Sequence, residues 1–367
     1  MKAGPLRKSA IFLGLVAVVT LGGASAWAQE KGDKVTAKPD LPFGALESFV
    51  EIHAFFNMVH YENGMEGLEQ GKRGFQAKEF YLMFSSQPHP KLYFNSELEY
   101  QPGEKPDVVN FRRLEIHWAV LKWVELDFGK FYSPVGIERN THYAPLNRLI
   151  SRPLPALYIV PGIWPEVGLR MHGEIEAAKI KVRYEAALVN GLGGAGRGGR
   201  QDWDNNDELA VAGRIGISPF PWLTVGASGY QGTYDDSDDF LLVIRGLDAT
   251  VRYKGLTMIG EYLDSKIEMP EGNPEIRTGY YGQASYRFDA KRIHLIFVEP
   301  AVRFDHLDEA AGLELLSEIP DMNRLSAGLS LSPIPHFQLK GEYQWLWFPS
   351  PEIDNIKNIV FEAVVDF

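Results

Sequence analysis

The sequence predicts an all-β fold, a transmembrane antiparallel β-barrel of about sixteen strands, and three observations predict it. Apolar and polar residues alternate with period two through most of residues 46–367, which puts a greasy row and a polar row on opposite faces of each strand. Tight turns alternate with longer polar or Gly-rich connections, as strands that cross a layer and return require. The chain also ends inside such a row: in NIVFEAVVDF, residues Ile359, Phe361, Ala363, Val365 and Phe367 share one face and the last is aromatic.

The first element is a leader. Lys2, Arg7 and Lys8 precede an apolar run from Ala10 to Leu21, and Ala26-Trp27-Ala28 gives a small-x-small pattern, so residues 1–28 are expected to be a cleaved export signal. The run is shorter than the roughly 18 residues of a spanning helix. Cleavage removes three cations and no acid, which moves the formal charge from −11 to −14. Residues 29–45 read as a short periplasmic lead and 46–367 as the barrel domain. Cysteine is absent, which excludes disulfides and thiolate metal sites.

Strands are expected at 46–61, 73–86, 91–102, 109–121, 124–133, 166–176, 179–190 and 207–218. Eight more follow at 222–233, 241–254, 256–267, 277–289, 293–305, 322–332, 336–348 and 355–367. In 50–58, Val50, Ile52, Ala54, Phe56 and Met58 alternate with Glu51, His53, Phe55 and Asn57. Leu114, Ile116, Trp118 and Val120 alternate with Arg113, Glu115 and His117 in the same way. Hydrocarbon holds no water, so every backbone amide that crosses it must be paired, and a closed sheet does this without an edge. Tyr61, Trp118, Trp123, Tyr132, Trp164, Trp222, Tyr253, Trp345 and Trp347 fall near strand ends, where aromatic girdles are expected. A soluble β-sandwich would also alternate, but strands this long are unusual there.

In this frame the long connections are 62–72, 103–108 and then 134–165, so the third extracellular loop is the longest of these. Its stretch HYAPLNRLISRPLPALYIVPGIWP, residues 142–165, has no Asp or Glu in an acidic chain yet carries Arg148 and Arg152, with Arg139 just upstream. Pro145, Pro153, Pro155, Pro161 and Pro165 stiffen it. Leu146, Leu149, Ile150, Leu154, Leu157, Ile159 and Val160 would pin it to a wall, so it is expected to fold inward and narrow an aqueous channel. Arg139, Arg148 and Arg152, with Arg113, Arg170, Arg183, Arg214, Arg252 and Arg303 on lumen faces, would form a path for anions. Opposing them are Glu97, Glu99, Glu115, Glu125, Asp127, Glu174, Glu185, Asp248 and Glu261. Pairing with these would make the arginines stiffeners of the wall instead.

FGKFYSPVGIE at 128–138, EPAVRFDHL at 299–307 and NRLSAGLSLSPIPHFQLKGEYQW at 323–345 together resemble the phosphate-selective porin O/P family. The resemblance implies a sixteen-stranded outer-membrane porin, assembled as a homotrimer in which each monomer has its own pore. The family's phosphate selectivity rests on lysines and an arginine ladder; here Lys130 is the only lysine between Lys122 and Lys179. The terminal strand resembles the signal read by the barrel-assembly machinery, with Phe367 as its aromatic end.

Other motifs carry less. GLGGAGRGGR at 191–200 has the glycine spacing of a phosphate loop, but no helix follows to supply a dipole, so it reads as an outer loop. His53, His117 and His172 fall on lumen faces without metal-ligand spacing. Ser96 and His117 lie on neighbouring strands, and nothing marks them as nucleophile and base, so no enzyme is expected. The expected function is passive diffusion of small anionic or neutral hydrophilic solutes through the outer membrane, with outer-membrane lipid as surroundings and no cofactor, metal or nucleic acid. The alternatives are a non-selective general porin and a scaffold barrel around a partner protein.

Overall fold

Alternation along each strand decides which way every side chain points, and the sheet turns that alternation into an inside and an outside. The computed structural model describes residues 49–62, 73–102, 108–160, 162–193, 203–309 and 321–367. The expected export signal, the lead at 29–45 and residues 194–200 of the glycine-rich stretch lie outside the described residues.

The strands are β1 (Phe49–Tyr61), β2 (Gly74–His89), β3 (Leu92–Gln101), β4 (Val108–Leu121), β5 (Val124–Tyr132) and β6 (Pro165–Ala177). Then come β7 (Ile180–Val189), β8 (Ala210–Phe220), β9 (Leu223–Thr233), β10 (Leu241–Tyr253), β11 (Leu256–Ile267) and β12 (Glu275–Tyr286). After the two-residue β13 (Phe288–Asp289), which continues β12, the chain finishes with β14 (Phe297–Glu309), β15 (Met322–Ile334), β16 (Phe337–Trp347) and β17 (Ile356–Asp366). Counting β12 and β13 as one crossing gives sixteen strands, each antiparallel to its chain neighbours. The sheet closes where β17 meets β1, from Phe55 opposite Asp366 to Tyr61 opposite Val360. Phe367 completes the seam: Ala54 N donates to its carbonyl at 2.7 Å and its own N donates to Ala54 O at 2.9 Å. No edge is left unpaired at that junction.

Most strands lie within three residues of their expected bounds. The exception is β14, which begins four residues later than expected, because Lys291–Ile293 forms a 3-10 turn and His294 takes a left-handed φ of 60°. At three proline-containing connections the strands run further than expected. Gln87-Pro88-His89-Pro90, Ser218-Pro219-Phe220-Pro221 and Ser332-Pro333-Ile334-Pro335 each continue the strand past the first proline, with a register shift there. A proline lacks the N–H a ladder needs, so it sits where the ladder is interrupted.

Leu114, Ile116, Trp118, Leu247, Leu329, Ile359 and Phe361 stand exposed on the outer face. Glu97, Glu115, Asp127, Arg303, Asp305, Glu342 and Glu362 are buried on the inner one. This is the inverse of a soluble protein and needs a surrounding apolar medium for the outer row. Trp118, Trp123, Trp222, Tyr253 and Trp345 lie in that outer surface. Tyr132 and Trp164 do not: both are buried, with Trp164 edge-on to Tyr230 at 4.9 Å, so they belong to the interior rather than to a girdle.

Candidate pore constriction

The connection between β5 and β6, residues 133–164, starts and ends beside itself, with Ser133 N donating to Trp164 O at 2.8 Å. Between these ends it has little regular structure, only a 3-10 turn at Glu138–Asn140 and the one-turn helix α1 (Leu154–Tyr158). Gly136 (φ 73°) and Gly162 (φ 63°) take left-handed conformations that L side chains rarely adopt. A Cβ on Gly136 would also lie 3.1 Å from the Glu261 carboxylate.

A segment with so few internal bonds must find partners for its backbone elsewhere. It finds them on the polar row of the wall. Ile150 N and Ser151 N donate to Glu342 at 2.6 and 2.8 Å, Leu154 N to Asp305 at 3.1 Å, and Ile137 N to Glu261 at 2.8 Å. In the other direction Arg303 donates to Ser151 O at 2.9 Å and Lys340 to Asn147 O at 3.0 Å. Leu149, Ile150, Leu154, Leu157, Ile159 and Val160 are buried, as their pattern suggested; Leu146 is exposed and pins nothing. Two wall glutamates and one aspartate thus have backbone donors from the segment as partners.

Eight of the nine arginines singled out from sequence stand in ion pairs. On the segment, Arg139 pairs with Glu185, Arg152 pairs with Glu138, and Arg148 Nε lies 3.3 Å from Glu299 Oε1. On the wall, Arg113 pairs with Glu115, and Arg170 reaches Asp127 at 2.6 Å and Glu115 at 3.2 Å. Arg183 pairs with Glu174 at 2.6 Å, Arg214 with Asp248, and Arg303 with Asp305 at 2.9 Å. Absence of an acidic neighbour in sequence therefore did not mean absence in space: Glu185 and Glu299 come from β7 and β14.

Some carboxylates serve more than one cation: Asp305 has Arg324 at 3.1 Å as well as Arg303. Glu299 serves Arg287, 2.7 Å away, as well as Arg148, and Arg252 lies near enough to add its repulsion. Burial first, and then Arg287 and Arg252, lower the pKa of Arg148 against the attraction of Glu299. Two guanidiniums thus share one carboxylate, with a third nearby, at the short-turn end of β10, β12 and β14. Sequence reading missed Arg287, although alternation after the outward Tyr286 would have placed it inward. It also missed Arg112, for a different reason. A bulge opposite Glu97 and Leu98 turns Arg112 and Arg113 to the same face, and Arg112 pairs with Glu99. Alternation cannot show a bulge.

His117, Asp127 and His172, on β4, β5 and β6, converge on the inner wall: Asp127 Oδ1 lies 2.5 Å from His117 Nδ1 and 3.1 Å from His172 Nε2. Their sequence spacing had not suggested any grouping. Ser96 lies in the row opposite that of Asn95 and Glu97, whereas His117 contacts Asn95, so Ser96 and His117 stand on different faces and form no pair.

No family model matches the sequence. An uncharacterized protein of Aquifex aeolicus (strain VF5) is 28% identical over 178 residues, 44% of this chain. The match spans only 40% of that relative's length. Among solved structures, an anion-selective porin from Comamonas acidovorans aligns with a TM-score of 0.60 at 12% identity, over 87% of this chain and 100% of that one. The trimer form of OmpT, an outer-membrane protein of Vibrio cholerae, aligns with a TM-score of 0.56 at 9% identity, over 87% and 99%. At these identities the likeness is one of fold: this chain shares the closed sixteen-stranded antiparallel barrel of outer-membrane porins.

Proposed function

We propose that the chain forms a water-filled channel for passive diffusion of small hydrophilic solutes through a Gram-negative outer membrane, narrowed by residues 133–164 and preferring anions. The greasy outer row supports the membrane setting, since it needs hydrocarbon around it. The observation that carries the anion preference is that Arg148 and Arg287 share Glu299, with Arg252 near enough to add its repulsion to Arg148. Uncompensated positive charge at a narrow aqueous passage with low-dielectric walls raises the local concentration of anions. A homotrimeric assembly, membership of the phosphate-selective porin O/P group, an export signal at 1–28 and a role for Arg113, Arg139, Arg152, Arg170 and Arg183 along the solute path belong to the same proposal. In it these five act mainly through their carboxylate partners, by fixing the shape of the passage.

The pairing of so many other arginines favours a second reading, a general porin without charge preference. The reversal potential of the purified protein across a salt gradient in a planar bilayer separates the two. An anion-selective value supports the first reading, a value near zero the second, and a cation-selective value removes the anion assignment.

A further inference from the structure

Beyond the channel reading, we propose that His117, Asp127 and His172 form a site for one transition-metal dication of the Zn2+ class on the inner wall. The three donor atoms lie within 4.8 Å of one another. They stand on three adjacent strands, with His117 directly opposite Asp127 and His172 opposite Glu125 in the ladders, so the backbone fixes their approach. Two imidazole nitrogens and one carboxylate oxygen, with a further position open to water, are a donor set that suits Zn2+. Water reaches the group on the His172 side, whose side chain is 16% exposed, while Asp127 is fully buried.

The partners behind the three residues are those a metal site needs. Ligands are usually held by hydrogen bonds on their far side, which set the histidine tautomer and orient the carboxylate. Asp127 presents Oδ1 to His117 and both oxygens to His172, at 3.1 and 2.9 Å, and Arg170 Nε holds its Oδ2 at 2.7 Å. With Nδ1 of His117 on the metal, Nε2–H is left to donate to Glu115 Oε1 at 3.3 Å, and the Asn95 amide, whose Nδ2 lies 2.7 Å from Nε2, turns its oxygen to that N–H. Glu125, 3.9 Å from His172 Nε2, stands near enough to approach the open position.

Arg170 is the group that could repel a dication, and its neighbours answer this. It also reaches Glu115 at 3.2 Å and Glu185 at 3.7 Å, so it keeps carboxylate partners when Asp127 shares its charge with a metal. Around the site, Glu115, Glu125, Asp127 and Glu185 face Arg113, Arg139 and Arg170, which leaves one carboxylate in excess if both histidines are neutral. Without a metal, two imidazoles converge on one carboxylate that already has a guanidinium at its Oδ2.

The test uses the protein in detergent, free of any polyhistidine tag, stripped with a chelator and titrated with Zn2+ in a calorimeter. One Zn2+ per chain is expected, with His117→Ala and His172→Ala each weakening binding at least tenfold and His53→Ala leaving it unchanged. Co2+ in place of Zn2+ should give the visible bands of a histidine-ligated site, and His172→Gln, which keeps a polar side chain on the wall, should abolish them. No saturable binding, the same affinity in both histidine variants, or a Co2+ spectrum of the unaltered chain without histidine ligation would each overturn the proposal. Binding in detergent does not depend on conduction, so the channel reading stands or falls separately.

Discussion

Arg152 grips Glu138 through two parallel hydrogen bonds, Nε to Oε1 and Nη2 to Oε2, both 2.6 Å long. Both residues belong to the 133–164 segment, so the pair ties its entrance to its middle. Burial pushes the Glu138 pKa up, but Arg152 outweighs it and the carboxylate is held below its ordinary range. Arg152→Ala would leave a buried carboxylate without its cation, a defect that costs about 3–5 kcal/mol. The expected outcome is a loosened segment and a larger, noisier single-channel conductance in a planar bilayer. Unchanged conductance would mean that this pair does not hold the constriction.

Acid should loosen the same segment by a second route. His142 is buried, and burial lowers its pKa from 6.5 to about 4. The docked segment therefore holds His142 neutral at pH values where a released segment would protonate it. Docking is strongest above pH 6.5 and weakens as pH falls from 6.5 towards 4, by up to about 3 kcal/mol. Glu138 adds to this at lower pH, because its contribution is present above the ordinary glutamate pKa and is lost as pH falls through its lowered one. Conductance noise should grow on acidification, and His142→Asn should remove the part of the response above pH 4. A response identical in that variant would exclude His142 as its source.

The outer face allows a test that ignores the pore. Leu329 is exposed near the middle of β15, opposite Pro300 and Gly341. Leu329→Arg would place a cation in hydrocarbon, which costs about 2–4 kcal/mol at mid-bilayer. Urea titration of refolding into lipid vesicles should show that loss. If the variant is as stable as the parent chain, this face does not meet lipid.

The barrel was legible because its signals are local. Ile359, Phe361, Ala363, Val365 and Phe367 alternate in sequence and line one face of β17 in space, and nothing beyond the strand is needed to see it. The segment was half legible. Its apolar residues announced burial, but the partners of its arginines come from strands far along the chain, as with Arg148 and Glu299 or Arg139 and Glu185. Such pairs depend on strand register and on how deep the segment reaches. The grouping of His117 with His172 was hidden for the same reason, since only the ladders through β5 bring them together.

The seam bonds of Phe367 and its proposed part in assembly can be pulled apart. Phe367 gives the seam two backbone hydrogen bonds to Ala54, while its ring stands exposed. Phe367→Ala keeps the backbone, so refolding in detergent should be unchanged. If the ring is what the assembly machinery reads, yield in the outer membrane of cells should fall. Deleting residue 367 should harm both, because Ala54 then loses its partners. Equal yields of the Ala variant and the parent chain in cells would remove the assembly role of the ring.

Charge selectivity should respond strongly to Arg148, Arg252 and Arg287, because Arg148 and Arg287 share Glu299 and Arg252 adds its charge beside them. Removing a cation from a balanced pair changes shape and charge together, but removing one from an excess mainly lowers the local potential. Arg252→Ala and Arg287→Ala act on exposed side chains and should fold normally. Each is expected to lower the anion-to-cation permeability ratio on the order of two- to threefold, and the pair together further. Arg183→Ala is the comparison: its side chain is water-exposed, and its carboxylate Glu174 also has Lys181 at 3.6 Å, so the ratio should barely move. The readout is the reversal potential at moderate ionic strength, since concentrated salt would screen the difference. If Arg183→Ala shifts it as much as Arg252→Ala does, selectivity follows the total charge of the lumen and the cluster at Glu299 has no special part in it.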